Sequence, residues 1–205
     1  MDSVIRNILE RLIAAAGLIF LSPVLLVTAL IVMLDSPGNP FYAARRIGKD
    51  GKPFRMWKFR TMRPNSDRLG PAITARNDPR LIRSGAFLRK SKLDELPQLV
   101  NVVTGQMSLI GPRPEAPQIV ALYSTRQRDV LAVKPGITGI VQVSSGEESD
   151  RIPVGANAQA YYLQNILNEK LEADLQYLRA RTIESDLKLL LATARLLARS
   201  VVRIF

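Results

Sequence analysis

Two neighbouring carboxylates, Asp94 and Glu95, are the residues whose types and position best suit chemistry. They follow the most basic stretch of the chain, since residues 45–92 contain fifteen Lys or Arg and three Asp. Two acids directly after so much positive charge are typical of a site that binds an anionic substrate. Carboxylates together with substrate phosphate are also the ligands that Mg²⁺ prefers. The pair therefore predicts phosphate chemistry, with Mg²⁺ as the expected cofactor and both acids as its candidate ligands.

The position of the pair favours one acid as a nucleophile. Pro97 is tolerated in the first turn of a helix, which places Asp94 and Glu95 at or just before a helix start. Free N–H groups and the positive end of the helix dipole stabilise anions there. An ionised carboxylate can attack phosphorus while its neighbour holds a cation. The alternative is purely structural, with Asp94 as an N-cap and Glu95 as a first-turn acid.

A second candidate group is an arginine held between two prolines. Pro114 confines Arg113 to extended backbone angles, and Pro112 is itself fixed in φ. A rigidly held guanidinium suits bidentate binding of phosphate. A proline-rich turn with a surface arginine is the alternative.

Further basic candidates lie on a predicted β-hairpin and the helix after it. Residues 41–47 and 52–62, joined by a turn at residues 48–51, have the pattern of two paired strands. The two-residue period of the second strand places Lys58 and Arg60 on one face and Trp57 and Phe59 on the opposite, inward face. Lys58 and Arg60 are then candidates to bind phosphate. A solvated face of an edge strand is the alternative. A helix predicted over residues 81–92 carries Arg89, a further candidate for substrate binding.

The composition limits which side chains can act. The 205 residues include no histidine and no cysteine, so an acid, base or nucleophile comes from Asp, Glu, Lys, Tyr, Ser or Thr. Disulfides and thiolate metal sites are excluded. The net charge of +11 favours nucleic acid, an anionic membrane surface or phosphorylated substrates as partners.

The chain also contains a candidate membrane segment. Residues 12–34 carry no charge, and a straight helix of that length reaches about 34 Å, enough to cross a bilayer core. Pro23 at its centre predicts a kink, where the Ser22 hydroxyl satisfies a freed backbone group. Basic residues flank both ends, which favours a re-entrant helix that returns to the same face. The alternative is an ordinary transmembrane helix with a tolerated proline.

The remaining elements are mostly helical. We predict helices over residues 96–103, 115–133, 158–180 and 183–204, a strand over residues 137–143, and irregular segments at residues 64–79 and 144–157. Along the last helix, Arg195, Arg199 and Arg203 form a stripe beside apolar residues that extend to Phe205. This pattern favours a helix in the membrane interface, and a core-packed helix with a wet arginine stripe is the alternative.

Several ordered motifs resemble the bacterial sugar transferases, the monotopic phosphoglycosyl transferases. They are SKLDELPQLVNVV at residues 91–103, GQMSLIGPRPE at 105–115, KFRTM at 58–62, NDPR at 77–80 and KPGITG at 134–139. The resemblance covers nearly the whole chain, whose length is similar to that of the minimal, catalytic-domain members. It implies an α+β, mostly helical fold with a re-entrant membrane helix, a small β-hairpin and interfacial amphipathic helices. Residues 1–40 then form the membrane helix and its exit turn, and residues 41–205 the catalytic domain.

The resemblance implies a reaction and its residues. A sugar-1-phosphate passes from a UDP-sugar donor to a polyprenol phosphate acceptor in the membrane, and UMP leaves. By motif, Asp94 is similar to the nucleophile that forms an aspartyl-phosphosugar intermediate, and Glu95 to the magnesium ligand. Lys58 and Arg113 then hold phosphates or nucleotide, and Asp174 matches an acid near the site. The implied location is the cytoplasmic face of the bacterial inner membrane, with membrane lipids as partners.

One segment departs from the family pattern. Where members often have Asn-Gly-Arg-Asn, residues 144–151 are SSGEESDR. This loss of an arginine predicts a different sugar, with Arg151 as a possible replacement. Two other functions are compatible with the charge: a membrane-anchored basic module for nucleic acid, which has few aromatic residues for stacking, and a membrane-surface scaffold. The resemblance implies that nucleic acid is not a partner.

Overall fold

The computed structural model describes residues 3–66, 73, 78–146, 148–153 and 155–202. It begins with two apolar helices, α1 (Ser3–Phe20) and α2 (Ser22–Asp35), whose axes differ by 62°. Pro23 has no N–H to donate to the carbonyl of Ile19, and the Ser22 hydroxyl donates to that carbonyl instead at 2.8 Å. The predicted kink, with this use of Ser22, is confirmed.

The helix pair has an apolar surface. Within the described residues, no single helix is both long enough and apolar enough to span a membrane. Taken together, α1 and α2 are long and apolar enough. Large side chains on both helices are exposed, among them Val4, Ile8, Leu12, Phe20, Leu26 and Leu34. By length and composition alone, the bent pair therefore suits a membrane.

The predicted hairpin is confirmed. Strands β1 (Phe41–Ile47) and β2 (Pro53–Phe59) pair antiparallel, from Phe41 opposite Phe59 to Ile47 opposite Pro53. A 3₁₀ turn at Lys49–Gly51 joins them, with φ of +57° at Asp50. The second strand ends at Phe59, three residues earlier than predicted.

The predicted faces of β2 are wrong in part. Phe59 is buried as expected, but Trp57 is 38% exposed. Phe54 and Met56 are buried on the side to which Lys58 belongs by the two-residue period. The hairpin is covered on both sides, so the charge pattern alone could not show which face lies inward. Lys58 consequently points into the protein.

The next helices are shorter than predicted. Residues 81–84 do not join α3 (Gly85–Lys90), because Leu81 bridges to Met62 and the Ile82 N–H donates to the Thr61 carbonyl. Helix α4 (Gln98–Val103) follows, and Gly105 ends it with φ of +80°. The buried Asn101 fixes α4 to β2, since its side chain accepts from the Trp57 N–H and donates to the Arg55 carbonyl.

Two predictions for the middle of the chain are wrong. Residues 115–133 form α5 (Pro117–Val120) and a 3₁₀ segment (Gln127–Ala132), because Ser124 and Gln127 form reciprocal side-chain-to-backbone hydrogen bonds that start a new turn. Residues 137–143 form the end of strand β4 (Gly136–Thr138) and helix α6 (Ile140–Ser144). Strand β4 pairs in parallel with β3 (Ser108–Ile110), which the sequence did not indicate.

The C-terminal helices follow the prediction closely. Helix α8 (Ala158–Tyr161), a π segment (Tyr162–Ile166) and α9 (Leu167–Arg179) run in succession, and α10 (Ile183–Val202) follows. Residues 144–157 were predicted to be irregular, but the described part of this segment includes the short helix α7 (Glu148–Arg151).

Helix α10 has apolar residues on both its inner and outer sides. Leu189 is buried and Thr193 bonds to Thr138 at 2.8 Å, whereas Leu187 and Leu191 are exposed. Of the predicted arginine stripe, Arg195 is exposed. The side chain of Arg199, and Arg203 and Phe205, lie outside the described residues. The same is true of two positions in earlier motifs, Asn77 and Glu147.

In the part of the chain that the structure describes, three hydrophobic clusters stabilise the fold. The largest surrounds α9 and includes Ile119, Tyr162 and Leu171. The second joins Ala14 of α1 to the hairpin and α4, and the third joins Val32 of α2 to Phe59 and Leu88. Both apolar helices thus contribute fully buried residues to the cores that support the hairpin. The fold is mostly helical with a small antiparallel hairpin, as predicted.

Candidate active site

The carboxylate pair lies in a 3₁₀ turn, Leu93–Glu95, just before α4. Lys92 enters this turn with φ of +61°, a left-handed conformation that is uncommon for a residue with a side chain. The predicted location before a helix start is confirmed. The N-cap role considered for Asp94 is wrong, because Pro97 occupies the N-cap of α4 and the helix has no side-chain cap.

Glu95 joins two basic side chains from distant parts of the chain. Its Oε1 accepts from Lys58 Nζ at 2.9 Å and from Arg113 Nη2, and its Oε2 accepts from Arg113 Nη1 at 3.1 Å. Burial alone would raise the pKa of Glu95, but Arg113 and Lys58 hold it well below its ordinary value. Glu95 is therefore ionised, and it fixes the arginine in a bidentate geometry.

Asp94 has a different environment. It is 4% exposed, and its Oδ1 is buried without a hydrogen-bond partner among the described residues. Burial raises the pKa of Asp94, while Lys58, Lys92 and Arg89 act to lower it. The expected stabilisation by helix N–H groups is not made at Oδ1. A buried, unpaired carboxylate oxygen costs about 1–3 kcal/mol, which is typical of a functional rather than a structural group.

Positive charge surrounds the pair. Lys58 and Lys92 are half-buried, and this desolvation lowers the pKa of each, while both carboxylates oppose that shift. Arg89 donates to the Thr61 hydroxyl at 3.0 Å and acts electrostatically on Asp94. Together with Arg113, four cations face two carboxylates, which leaves an excess of two positive charges. This site can accept a doubly charged anion such as a diphosphate.

Paired glycines hold the arm that carries Arg113. The Gly111 N–H donates to the Thr138 carbonyl at 2.9 Å, and the Gly136 N–H donates to the Pro112 carbonyl at 3.0 Å. A Cβ atom at Gly136 would lie 2.0 Å from the Gly111 nitrogen, so the backbones approach too closely for any side chain. The prolines predicted a rigidly held arginine, but the close approach of Gly111 and Gly136 that supports it was not predicted. We call this close approach the glycine crossing.

Arg60 makes other contacts. Its guanidinium donates to the Ser36 hydroxyl at 3.1 Å and to the carbonyls of Ser36 and Pro37, just beyond the end of α2. Arg60 therefore fixes the end of a helix, and its role in substrate binding stays a prediction.

Asp174 lies in a cleft with the proline-flanked arginine. This α9 residue is 3% exposed, its Oδ2 has no hydrogen-bond partner among the described residues, and burial raises its pKa to about 7. The residues that line the cleft include Pro112, Arg113, Pro114, Tyr123 and Asp174. The structure thus brings Asp174 to the same arm as Arg113.

A buried charge network beneath this cleft was not predicted. Lys170, 2% exposed, donates to Glu115, to Glu148 Oε1 at 2.7 Å and to the Tyr162 hydroxyl at 3.1 Å. Its only sequence signal is a lysine four residues before Asp174 on an amphipathic helix. Arg151, the candidate replacement for the missing arginine, instead pairs with Glu169 at 2.6 Å.

The carboxylates fit a metal only in company with a substrate. Within the described part of the chain, no three acidic side chains are grouped closely enough to hold an ion by themselves. The Oδ1 of Asp94 has no donor, and the Oε2 of Glu95 accepts one hydrogen bond, so each oxygen can still bind a cation. Mg²⁺ usually binds one or two carboxylates together with substrate phosphates and water, and this arrangement suits that mode.

Comparison with known proteins now identifies the family. The profile of the family described as "Bacterial sugar transferase" matches residues 1–200. The chain belongs to this family. The resemblance inferred from the sequence motifs is therefore confirmed.

Individual relatives of the family are similar over most of the chain. The UDP-glucose:undecaprenyl-phosphate glucose-1-phosphate transferase of Escherichia coli (strain K12) is 36% identical over 200 residues, covering 94% of this chain and 40% of the relative. An exopolysaccharide production protein, PSS, of Rhizobium leguminosarum bv. phaseoli is 34% identical over 204 residues and 94% of both chains. The UDP-N-acetylgalactosamine-undecaprenyl-phosphate N-acetylgalactosaminephosphotransferase of Aeromonas hydrophila is 36% identical over 166 residues, 78% of this chain and 39% of the relative. The chain thus spans about two fifths of the length of these two transferases.

Proposed function

We propose that the chain transfers a sugar-1-phosphate from a UDP-sugar to undecaprenyl phosphate and releases UMP. The observation that carries this proposal is the buried Oδ1 of Asp94, which has no hydrogen-bond partner among the described residues and interacts electrostatically with Lys58, Lys92, Arg89 and Arg113. The printed names of the family relatives, which act on UDP-sugars and undecaprenyl phosphate, support the same donor and acceptor. Both substrates are anionic, and the excess positive charge attracts both.

The first step is an attack by Asp94 on the β-phosphorus of the donor. A bond forms between an Asp94 oxygen and phosphorus, and the bond from that phosphorus to the bridging oxygen breaks. UMP leaves with the bridging oxygen, and the sugar phosphate stays on Asp94. A carboxylate nucleophile of this kind needs no histidine, which the chain lacks.

The second step regenerates the carboxylate. A phosphate oxygen of undecaprenyl phosphate attacks the same phosphorus, and the bond to Asp94 breaks. Lys58 and Arg113, fixed by Glu95, stabilise the negative charge that develops on the phosphoryl oxygens in both steps. Asp174 lies in the adjacent cleft and contacts the bound donor there.

A UMP-release assay tests this function. The full chain in vesicles that contain undecaprenyl phosphate is incubated with each of a series of UDP-sugars. We expect one or a few donors to give UMP in equal amount to the sugar-diphospholipid product. Failure of every donor to release UMP would contradict the function.

We further propose that Mg²⁺ binds between the donor diphosphate, Asp94 and Glu95. When bound, the metal offsets the negative charge of the diphosphate. EDTA is therefore expected to lower UMP release by at least about 100-fold, and an excess of Mg²⁺ to restore it. The control is the same EDTA concentration already saturated with Mg²⁺. Full activity in free EDTA would remove the metal from the proposal.

The membrane placement is also a proposal. We infer that α1 and α2 enter one leaflet and return to the cytoplasmic face of the bacterial inner membrane. Their exposed apolar side chains and the basic residues at both flanks support this placement. The exposed leucines of α10 support an interfacial position for that helix, beside lipid phosphates.

Cysteine labelling distinguishes a re-entrant pair from a span. Single cysteines in place of Ser3 and Asn39, at the two ends of the pair, are expected to react with a membrane-impermeant maleimide from the same side of inverted vesicles. Asn39 is preferable to the nearby Ser36, which is buried. The cysteine-free natural chain is the control. Labelling of the two positions from opposite sides would indicate a full crossing.

A further inference from the structure

We propose that Glu10 and Asp35, one in each apolar helix, are positioning residues that align the two halves of the candidate active site. This inference rests on the proposed function. Neither residue contacts the carboxylate pair, but each fixes a segment that leads directly into the site.

Glu10 holds the segment that carries Arg113. It lies in α1 and is 9% exposed, and its Oε2 accepts from the Ser108 hydroxyl at 2.5 Å and from the Leu109 N–H at 3.3 Å. Both partners belong to β3, which ends at Ile110, three residues before Arg113. A shift of α1 is therefore transmitted through a short, hydrogen-bonded strand.

Other ion pairs close a ring around the same strand. Arg6 donates to Glu10 at 2.8 Å and pairs with Asp186 of α10 at 2.9 Å. Arg181 pairs with Asp186 at 3.0 Å and donates to the Ile110 carbonyl at 2.9 Å. The ring ties α1, β3 and α10 together, which fixes β3 at both of its ends.

Asp35 holds the opposite half of the site. It is the last residue of α2, and its Oδ2 accepts from the Ser84 N–H at 2.7 Å and the Ser84 hydroxyl at 2.8 Å. Ser84 is the N-cap of α3, which leads to the turn with Asp94. Arg60, two residues beyond Lys58, binds the backbone just after Asp35. The end of α2 thus fixes both Asp94 and Lys58.

One contact between the two halves is the ion pair of Glu95 with Arg113. Asp35 fixes the half with Glu95 to α2 and Glu10 fixes the half with Arg113 to α1, while Ala14 of α1 also packs against the hairpin and α4. The bend of 62° between the two helices is therefore one determinant of how the halves meet. Burial of the Glu10 carboxylate beside apolar helix surface is costly, and packing alone would anchor α1 without it. Precise alignment gives these acids a function, because a displacement of 1 Å can cost about 100-fold in rate.

The test uses Glu10→Gln and Asp35→Asn in the full chain, reconstituted in vesicles with undecaprenyl phosphate. For each variant we expect kcat for UMP release to fall about 10- to 100-fold, with little change in KM for the donor or in vesicle flotation. The matched control is Glu184→Gln, which removes the exposed pair with Lys188 in α10 and should change none of these values. An unchanged kcat in both positioning variants would overturn the proposal.

A double-mutant comparison separates alignment from general loss of stability. If Glu10 acts through Arg113, then Glu10→Gln should lower the rate by less than about threefold in an Arg113→Lys background. If the rate loss of the double variant equals the product of the losses of Glu10→Gln and Arg113→Lys, the proposal is overturned. Should Glu10→Gln fail to fold, Ser108→Ala, which removes one hydrogen bond and keeps the charges, carries the same comparison.

The outcome also separates this inference from the proposed function. If the wild-type chain releases UMP and both variants have the same kcat, only the positioning role is contradicted. If the wild-type chain releases no UMP with any donor, both the function and the positioning role are contradicted.

Discussion

Replacement of Asp94 by asparagine is expected to abolish the release of UMP, with a loss of about 10⁴-fold or more. Asparagine matches the shape of aspartate, but its amide cannot form the bond to phosphorus. The measurement is UMP release from the donor that is best in the wild-type chain. In a second measurement, wild-type protein incubated with that donor alone should gain the mass of one sugar phosphate, and the Asp94→Asn protein should gain none.

Folding provides the control for this variant. Burial raises the pKa of Asp94, so its ionised form is disfavoured in the folded protein. Removal of the charge should therefore leave the melting temperature unchanged or raise it. Retained turnover in a folded Asp94→Asn protein, or an adduct on another residue, would contradict covalent catalysis by Asp94.

The second largest effect is expected for Glu95→Gln, which should lower both stability and activity. Glutamine leaves the half-buried Lys58 and Arg113 without their shared counter-charge, which is expected to cost between the about 1 kcal/mol of an exposed pair and the about 3–5 kcal/mol of a fully buried one. Activity should fall by about 100- to 1,000-fold, because the arginine loses its bidentate support. Chemical denaturation gives the free energy of unfolding, and UMP release gives the rate.

An exposed pair is the control for Glu95→Gln. Glu172→Gln removes the pair with the 60% exposed Arg126 and should cost less than about 1 kcal/mol. The pKa of Glu95 lies below its ordinary value of 4.5, so its stabilising contribution is present above about pH 4.5 and is lost as the pH falls through the lowered value. A Glu95→Gln protein as stable as wild type at pH 7 would contradict this account of the ion pair.

Features set by neighbouring residues were predictable from the sequence. Pro23 with Ser22 gave the kink, the glycines near Asp50 gave the hairpin, and Pro112 with Pro114 gave a fixed arginine. Each depends on a backbone restriction that acts within a few residues. The same locality explains why the positions of the two C-terminal helices were correct.

Features set by distant segments were not predictable. The parallel pair of β3 and β4 joins segments 28 residues apart at Ser108 and Gly136, with three residues in each strand, too few to show a period. The inward direction of Lys58 depends on Glu95, and the use of Arg60 depends on the end of α2. The sequence identified these cations as a group, and tertiary contacts then separated their roles.

The family resemblance and the geometry contributed different information about the site. The motifs implied separate roles for Asp94 and Glu95, and the structure gives them different surroundings: Asp94 has a raised pKa and an oxygen without a hydrogen-bond partner among the described residues, whereas Glu95 pairs with Lys58 and Arg113 and has a lowered pKa. Two adjacent acids with opposite shifts are what a nucleophile and a positioning anion require.

The close approach of Gly111 and Gly136 limits how this protein can be re-engineered. No amino acid other than glycine fits at Gly136, so the arm beside it offers almost no room for sequence variation. Most variants of a mutant library at Gly136 would therefore disrupt this arm and would not test a change in the proposed sugar donor. Under the proposed function, mutagenesis concentrated on residues 144–151, the segment whose sequence was expected to depart from the family pattern, would sample new donors while leaving the glycine crossing intact.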